Sequence, residues 1–292
     1  MRGPLMTTTL VNVLPTWLLG VVIIGGATLL TVGAALILRK RVRSTRTEGH
    51  NEIVGFIFAT VGVIYAVLLA LVVFSVWESY ATAEQAAARE AGAAIALYRN
   101  TSIFPPATQV PLQRELRTYV RAVLDDEWQT MAYGNPSPRA LTALNALYNG
   151  YDSLKPSNPW QVAMYQESFS RLNDLSTERS LRILSSKAAL PGIFWSVLIL
   201  GALITLACAV LLYLENAGVH LLLSGLLAAL VSSLLFLILV VDHPFSGEVH
   251  VPKDSFEYAA QIMKIPSTAH EGALSPLGPA GAQEAATEQP GR

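Results

Sequence analysis

Residues 53–99 read IVGFIFATVGVIYAVLLALVVFSVWESYATAEQAAAREAGAAIALYR, and this stretch decides the fold because it starts as membrane helix and ends as polar helix. Residues 53–76 carry no charge, and these 24 residues, at about 1.5 Å each, can span a hydrocarbon core roughly 30 Å thick. Trp77 and Glu78 mark the water interface, where an indole is at home and a carboxylate becomes tolerable. No proline occurs between Ile53 and Phe104, and the alanines after Glu78 favour helix, so the segment is expected to continue as one rod over 77–104.

The rod carries two stripes. Gly55, Gly62, Ala66 and Ala70, with Ala59 between them, recur at helical spacing and would let another helix backbone approach closely. Phe56, Thr60, Val63, Val67, Ala70 and Phe74 form a neighbouring face. In a ring of chains one face would pack, and the other could line an apolar constriction that gates by dewetting. The alternative is that the small residues form a packing surface and nothing more.

Working outward, the whole chain of 292 residues is 52% hydrophobic and only 14% charged, which excludes an ordinary soluble protein and predicts a polytopic membrane protein whose main partner is the lipid bilayer. A formal net charge of −1 leaves no basic field for nucleic acid. Cys208, the single cysteine, excludes an intrachain disulfide and a thiolate cluster. The abundance of alanine and the excess of arginine over lysine point to a bacterial source, hence to the inner membrane.

Residues 1–16 form a short N-terminal segment, and 17–38 an uncharged first span. A basic loop follows over 39–52, with Arg39, Lys40, Arg41, Arg43 and Arg46 read as a topology and headgroup anchor. After the rod, Pro105 and Pro106 open an extramembrane insert over 105–190. Its apolar positions repeat with helical period around Leu112, Leu116 and Tyr119, around Leu141, Leu144 and Leu147, and around Tyr165, Phe169 and Leu172. Asn158 before Pro159 reads as an N-cap with proline at the first helical position. Residues 193–214 and 219–241 are the third and fourth spans, an antiparallel hairpin closed by Glu215, Asn216 and Gly218. A polar turn segment occupies 242–265, and the Pro-, Gly- and Ala-rich composition of 266–292 predicts a disordered tail. The fold class is therefore all-α: a bundle of four membrane helices with a helical insert.

None of these spans holds Asp, Glu, Lys or Arg, which argues against proton relays and ion-coupled transport. Asp242, His243, Glu248 and His250 group four potential metal ligands, but their spacing matches no standard zinc or calcium loop, so no metal is assigned. Asp125, Asp126 and Glu127, consecutive on a helix, are read as a solvated face. No phosphate loop, nucleophile elbow or cofactor signature is present, and neither an enzyme nor a cofactor is expected.

The helix running into VWESYATAEQAAAREAG, the Pro191 to Trp195 entry to the third span, and Asp242-His243-Pro244-Phe245-Ser246-Gly247 after the fourth resemble the bacterial bestrophin-like domain family over about residues 50–260. More remotely they resemble the bestrophin anion channels, in which Trp77-Glu78 and the Asp242, Pro244, Phe245, Gly247 motif have counterparts. That resemblance implies a homopentamer with the second span around the axis, an apolar neck at Ala59, Val63 and Val67, passage of small inorganic ions, and a cytoplasmic insert. The basic loop at 39–52 argues for the opposite orientation. A second reading keeps the same bundle as an anchor that presents the insert to a partner, without transport.

Overall fold

The computed structural model describes residues 15–41, 48–212 and 214–265. Arg43 and Arg46, most of the N-terminal segment and the 266–292 tail lie outside them. Helix α1 (Thr16–Arg41) contains one π turn at Val21–Gly25. Helix α2 (Glu48–Asn100) is a single helix of 53 residues, roughly 80 Å long. It takes up the end of the stretch read as a loop over 39–52. The insert is built from α3 (Pro106–Ala122), which continues through a π turn (Val123–Glu127) into Trp128–Met131, then α4 (Pro138–Asp152) and α5 (Pro159–Ser186). Helices α6 (Gly192–Leu211) and α7 (Ala217–Val241) return through the bundle, and α8 (Asp254–Ile262) closes the described chain. No strand occurs among the described residues. Among the described residues four helices, α1, α2, α6 and α7, are long and apolar enough to cross a membrane.

Three departures from the sequence reading have local causes. The third span stops at Leu211 rather than 214, because Leu212 leaves the helix and the α6–α7 turn begins there. Helix α8 sits in what read as a polar turn: Phe256 and Ala259, at i and i+3, bury one face of it, and Met263 extends that face. Glu127, read as solvated, is fully buried.

Caps fix where helices begin. Ser137 Oγ accepts the Ala140 N–H at 3.1 Å, and Asn158 Oδ1 accepts the Gln161 N–H at 2.8 Å, each ahead of a proline that has no N–H to lose. Asn216 Oδ1 takes the N–H groups of Gly218 and Val219 at 3.0 and 3.3 Å, which lets the α6–α7 turn be short. Arg39, at the end of α1, donates to the carbonyls of Leu214 and Glu215 at 2.8 and 2.7 Å. At the other end of α1, the Thr16 N–H donates to Glu248 at 3.2 Å. The basic end of α1 therefore lies with the α6–α7 turn, and its start lies with the insert and the segment after α7.

Two cores hold the described residues together. In the membrane part, Tyr65, Leu69, Val72 and Val76 of α2 pack with Leu198 and Ala202 of α6 and Val231 and Ile238 of α7. Gly201 makes room for Tyr65: a Cβ there would sit 2.5 Å from the ring, while the phenol donates to the Leu198 carbonyl at 3.0 Å and cannot easily swing aside. Gly201→Ala is expected to destabilise the bundle by about 1–3 kcal/mol through overpacking, read as a lower unfolding temperature in detergent. In the insert, Ala83, Ala87, Ala91, Ala94 and Leu97 of α2 share a core with α3, α4, α5 and α8. Alanine at these positions allows α5 to lie close along the rod.

Candidate functional site

Helix α2 is packed on one side only. At about 100° per residue, Tyr65, Leu69, Val72 and Val76 share a back stripe, and this stripe is buried. Phe56, Thr60, Val63, Val67 and Phe74 fall diametrically opposite and are exposed in the protomer, as are Ala59, Ala66 and Ala70. Thr60 satisfies its hydroxyl on the Phe56 carbonyl at 3.0 Å. The two flanks between back and front differ in size. One carries Gly55, Ala59, Gly62 and Ala66, and a Cβ added at Gly55 or Gly62 meets nothing within 4 Å. The other carries Ile57, Ile64 and Leu71, all exposed. Trp77, also exposed, stacks on Tyr80 with centroids 6.3 Å apart, and Glu78 is exposed beside it.

Where α2 leaves the membrane part, a buried ion cluster ties it to the insert. Arg182 of α5 is fully buried and donates to both oxygens of Glu90 on α2 at 2.6 and 2.9 Å, and to Glu127 at 2.7 Å. Arg179 donates to Glu127 at 2.5 and 3.3 Å, and the Tyr119 phenol donates to Glu90 at 2.5 Å. The Arg182 guanidinium lies over the rings of Trp128 and Phe256, 5.4 and 5.5 Å from their centroids. Two carboxylates and two guanidinium groups balance to zero charge. Burial pulls the Arg182 pKa down, but the attraction of Glu90 and then Glu127 outweighs it, and the net shift is upward. Burial and then Glu90 raise Tyr119 well above the usual phenol range, so it stays a donor.

The segment after α7 forms a buried corner. Asp242 Oδ1 accepts the Leu190 N–H at 2.8 Å from the α5–α6 linker, and Trp195 of α6 faces the same carboxylate. The Pro244 carbonyl accepts the Val251 N–H at 2.7 Å, and Gly247 turns the chain at φ +73°, where a side chain would be strained. Phe245 packs edge-on against Trp128 at 5.7 Å, and Ser246 donates to the Ala132 carbonyl at 2.7 Å. Of the four potential ligands, Glu248 is engaged with Thr16 and His250 Nδ1 lies 2.9 Å from the Gly247 carbonyl. Among the described residues no three His, Cys, Asp or Glu side chains converge as a metal site.

A sequence model of the Bestrophin-like domain matches residues 25–256. The chain belongs to the bestrophin-like family. Two solved structures share its fold: a point variant of a bacterial bestrophin homolog from Klebsiella pneumoniae, and a point variant of a membrane protein. Each aligns with a TM-score of 0.63 at 14% identity, over 82% of this chain and 96% of the other. No curated protein matches it. This bestrophin-like chain is thus a membrane protein whose α2 occupies one long rod with a free front. The Trp77-Glu78 pair and the Asp242 to Gly247 corner, both singled out from sequence, lie at the insert end of the bundle. The Glu90, Glu127, Arg179 and Arg182 cluster was not singled out, although each residue continues a buried stripe of its own helix.

Proposed function

We propose that this protein is a homo-oligomeric pore for small inorganic ions, a pentamer by its bestrophin likeness, with α2 around the axis and an apolar neck at Ala59, Val63 and Val67. The observation that carries this reading is the layout of α2: back stripe buried, front stripe apolar and free, one flank small and the other large. Lipid gains nothing from glycine, whereas a neighbouring helix does. In a parallel ring, Ile57 lies level with the notch between Gly55 and Ala59, and Ile64 with the notch between Gly62 and Ala66. A small flank meeting a large one is a heterologous contact, the kind that closes into a ring. The uncharged front makes dewetting, rather than charged side chains, the selective barrier. On the bestrophin likeness we take anions as the permeant species and the insert as cytoplasmic in a bacterial cell. Protease protection in intact cells of a tag near residue 150 would support that orientation.

Widening the neck tests conduction. Val63→Ala with Val67→Ala removes two methyl pairs per subunit from the constriction, and chloride efflux from proteoliposomes is expected to rise severalfold over the parent. Unchanged efflux in a correctly assembled variant would instead favour the second reading, a membrane anchor that presents the insert to a partner.

A further inference from the structure

We propose that His243, beside Asp242, is a proton-operated latch joining the end of α7 to the entry of α6. Asp242 closes the latch by holding the Leu190 N–H, so the carboxylate at the end of one span fixes the linker that leads into another. Its neighbour His243 is only 5% exposed, and neither ring nitrogen has a hydrogen-bond partner. Nδ1 stands 3.9 Å from Asp242 Oδ2, too far for a hydrogen bond and close enough to form one after a small movement. A neutral imidazole can occupy this position at the cost of two unmade bonds. An imidazolium cannot stay there as it is: it must draw Asp242 toward itself or turn out to water. A bond to Oδ2 leaves Oδ1 on Leu190, so the latch opens by the second movement, in which the ring leaves the corner that holds the Leu190 contact.

The charge that acts on His243 is that of Asp242. The α5–α6 linker presents backbone, α6 presents the Trp195 indole to Asp242, and on the segment after α7 Glu248 is engaged with Thr16 and His250 with the Gly247 carbonyl. Asp242 remains as the facing charge. Burial lowers the His243 pKa below its ordinary value, with Asp242 opposing. The open state, with His243 hydrated, therefore binds more protons, and the closed state loses stability as pH falls from about 6.5 toward the lowered pKa. Burial raises Asp242, with the Leu190 bond opposing. Its protonation has the opposite sign and favours closure on acidification, so acid opening must come from His243. The latch belongs to the protomer and does not rest on conduction.

The test is amide exchange across 187–195 in the full-length protein in nanodiscs, at about pH 7.5 and about pH 5.5, corrected for intrinsic exchange. The wild type is expected to exchange roughly tenfold faster at the lower pH, and His243→Asn to show no such change. Exchange at the imidazole C2 of His243 in the wild type gives its own titration midpoint, which must coincide with the amide transition. A pH-independent linker, an equal response in His243→Asn, or midpoints that disagree would overturn the latch.

Discussion

Arg182→Ala is expected to destabilise the protein by about 3–5 kcal/mol, enough to abolish a folded insert at ordinary temperature. The substitution leaves the carboxylates of Glu90 and Glu127 in a buried core with Arg179, which reaches only Glu127, to answer them, and the Tyr119 phenol facing an uncompensated charge. It also removes the plane that Trp128 and Phe256 cover. Arg182→Lys should be nearly as damaging, since an ammonium cannot serve two carboxylates in a fixed fork. The discriminating variant is Arg182→Met with Glu90→Gln, which removes one charge of each sign. It should recover a large part of the loss, measured as thermal unfolding in detergent. If Arg182→Ala unfolds within about 1 kcal/mol of the parent, as an exposed ion pair would, the cluster is not the clamp described.

Gly62→Ile is expected to dissolve the assembly while leaving the protomer folded. Beyond its own helix, nothing among the described residues lies within 4 Å of a Cβ at Gly62, so the new side chain meets open space in the protomer. In the proposed ring it occupies the notch that Ile64 of the next copy needs. The complementary test is covalent: Gly62→Cys with Ile64→Cys, in a chain whose Cys208 is replaced by alanine, should crosslink on oxidation into a ladder that ends at the closed ring. A variant with Gly62→Ile that assembles like the parent would show that this flank faces lipid.

Much of this architecture was legible in the sequence because membrane helices announce themselves by length and lack of charge, and a helix start by Asn158-Pro159. The long rod was legible for the same reason, since no proline or glycine pair interrupts 53–99. The ion cluster was harder. Glu127 stands among three consecutive acids, and only by extending the Leu116, Val120, Val123 stripe by four residues does it turn inward, toward Met131. Glu90 continues Ala83 and Ala87, and Arg179 and Arg182 continue Leu172 and Leu175. Two acids and two bases at core positions of three helices are a neutral set, and that balance is the signal a single-helix reading misses. Helix α8 escaped because Pro252 and its charged neighbours look like a turn until Phe256 and Ala259 are seen to share a face. The inward turn of His243 left no trace in the sequence, because it depends on how the corner after α7 folds.

Native mass spectrometry of the detergent-purified, full-length protein counts the subunits that the free front of α2 requires. A homopentamer is the result expected if the small and large flanks of α2 close a ring around an apolar neck. A monomer or dimer that persists across several mild detergents would contradict it, because no ring would remain to enclose a path for ions.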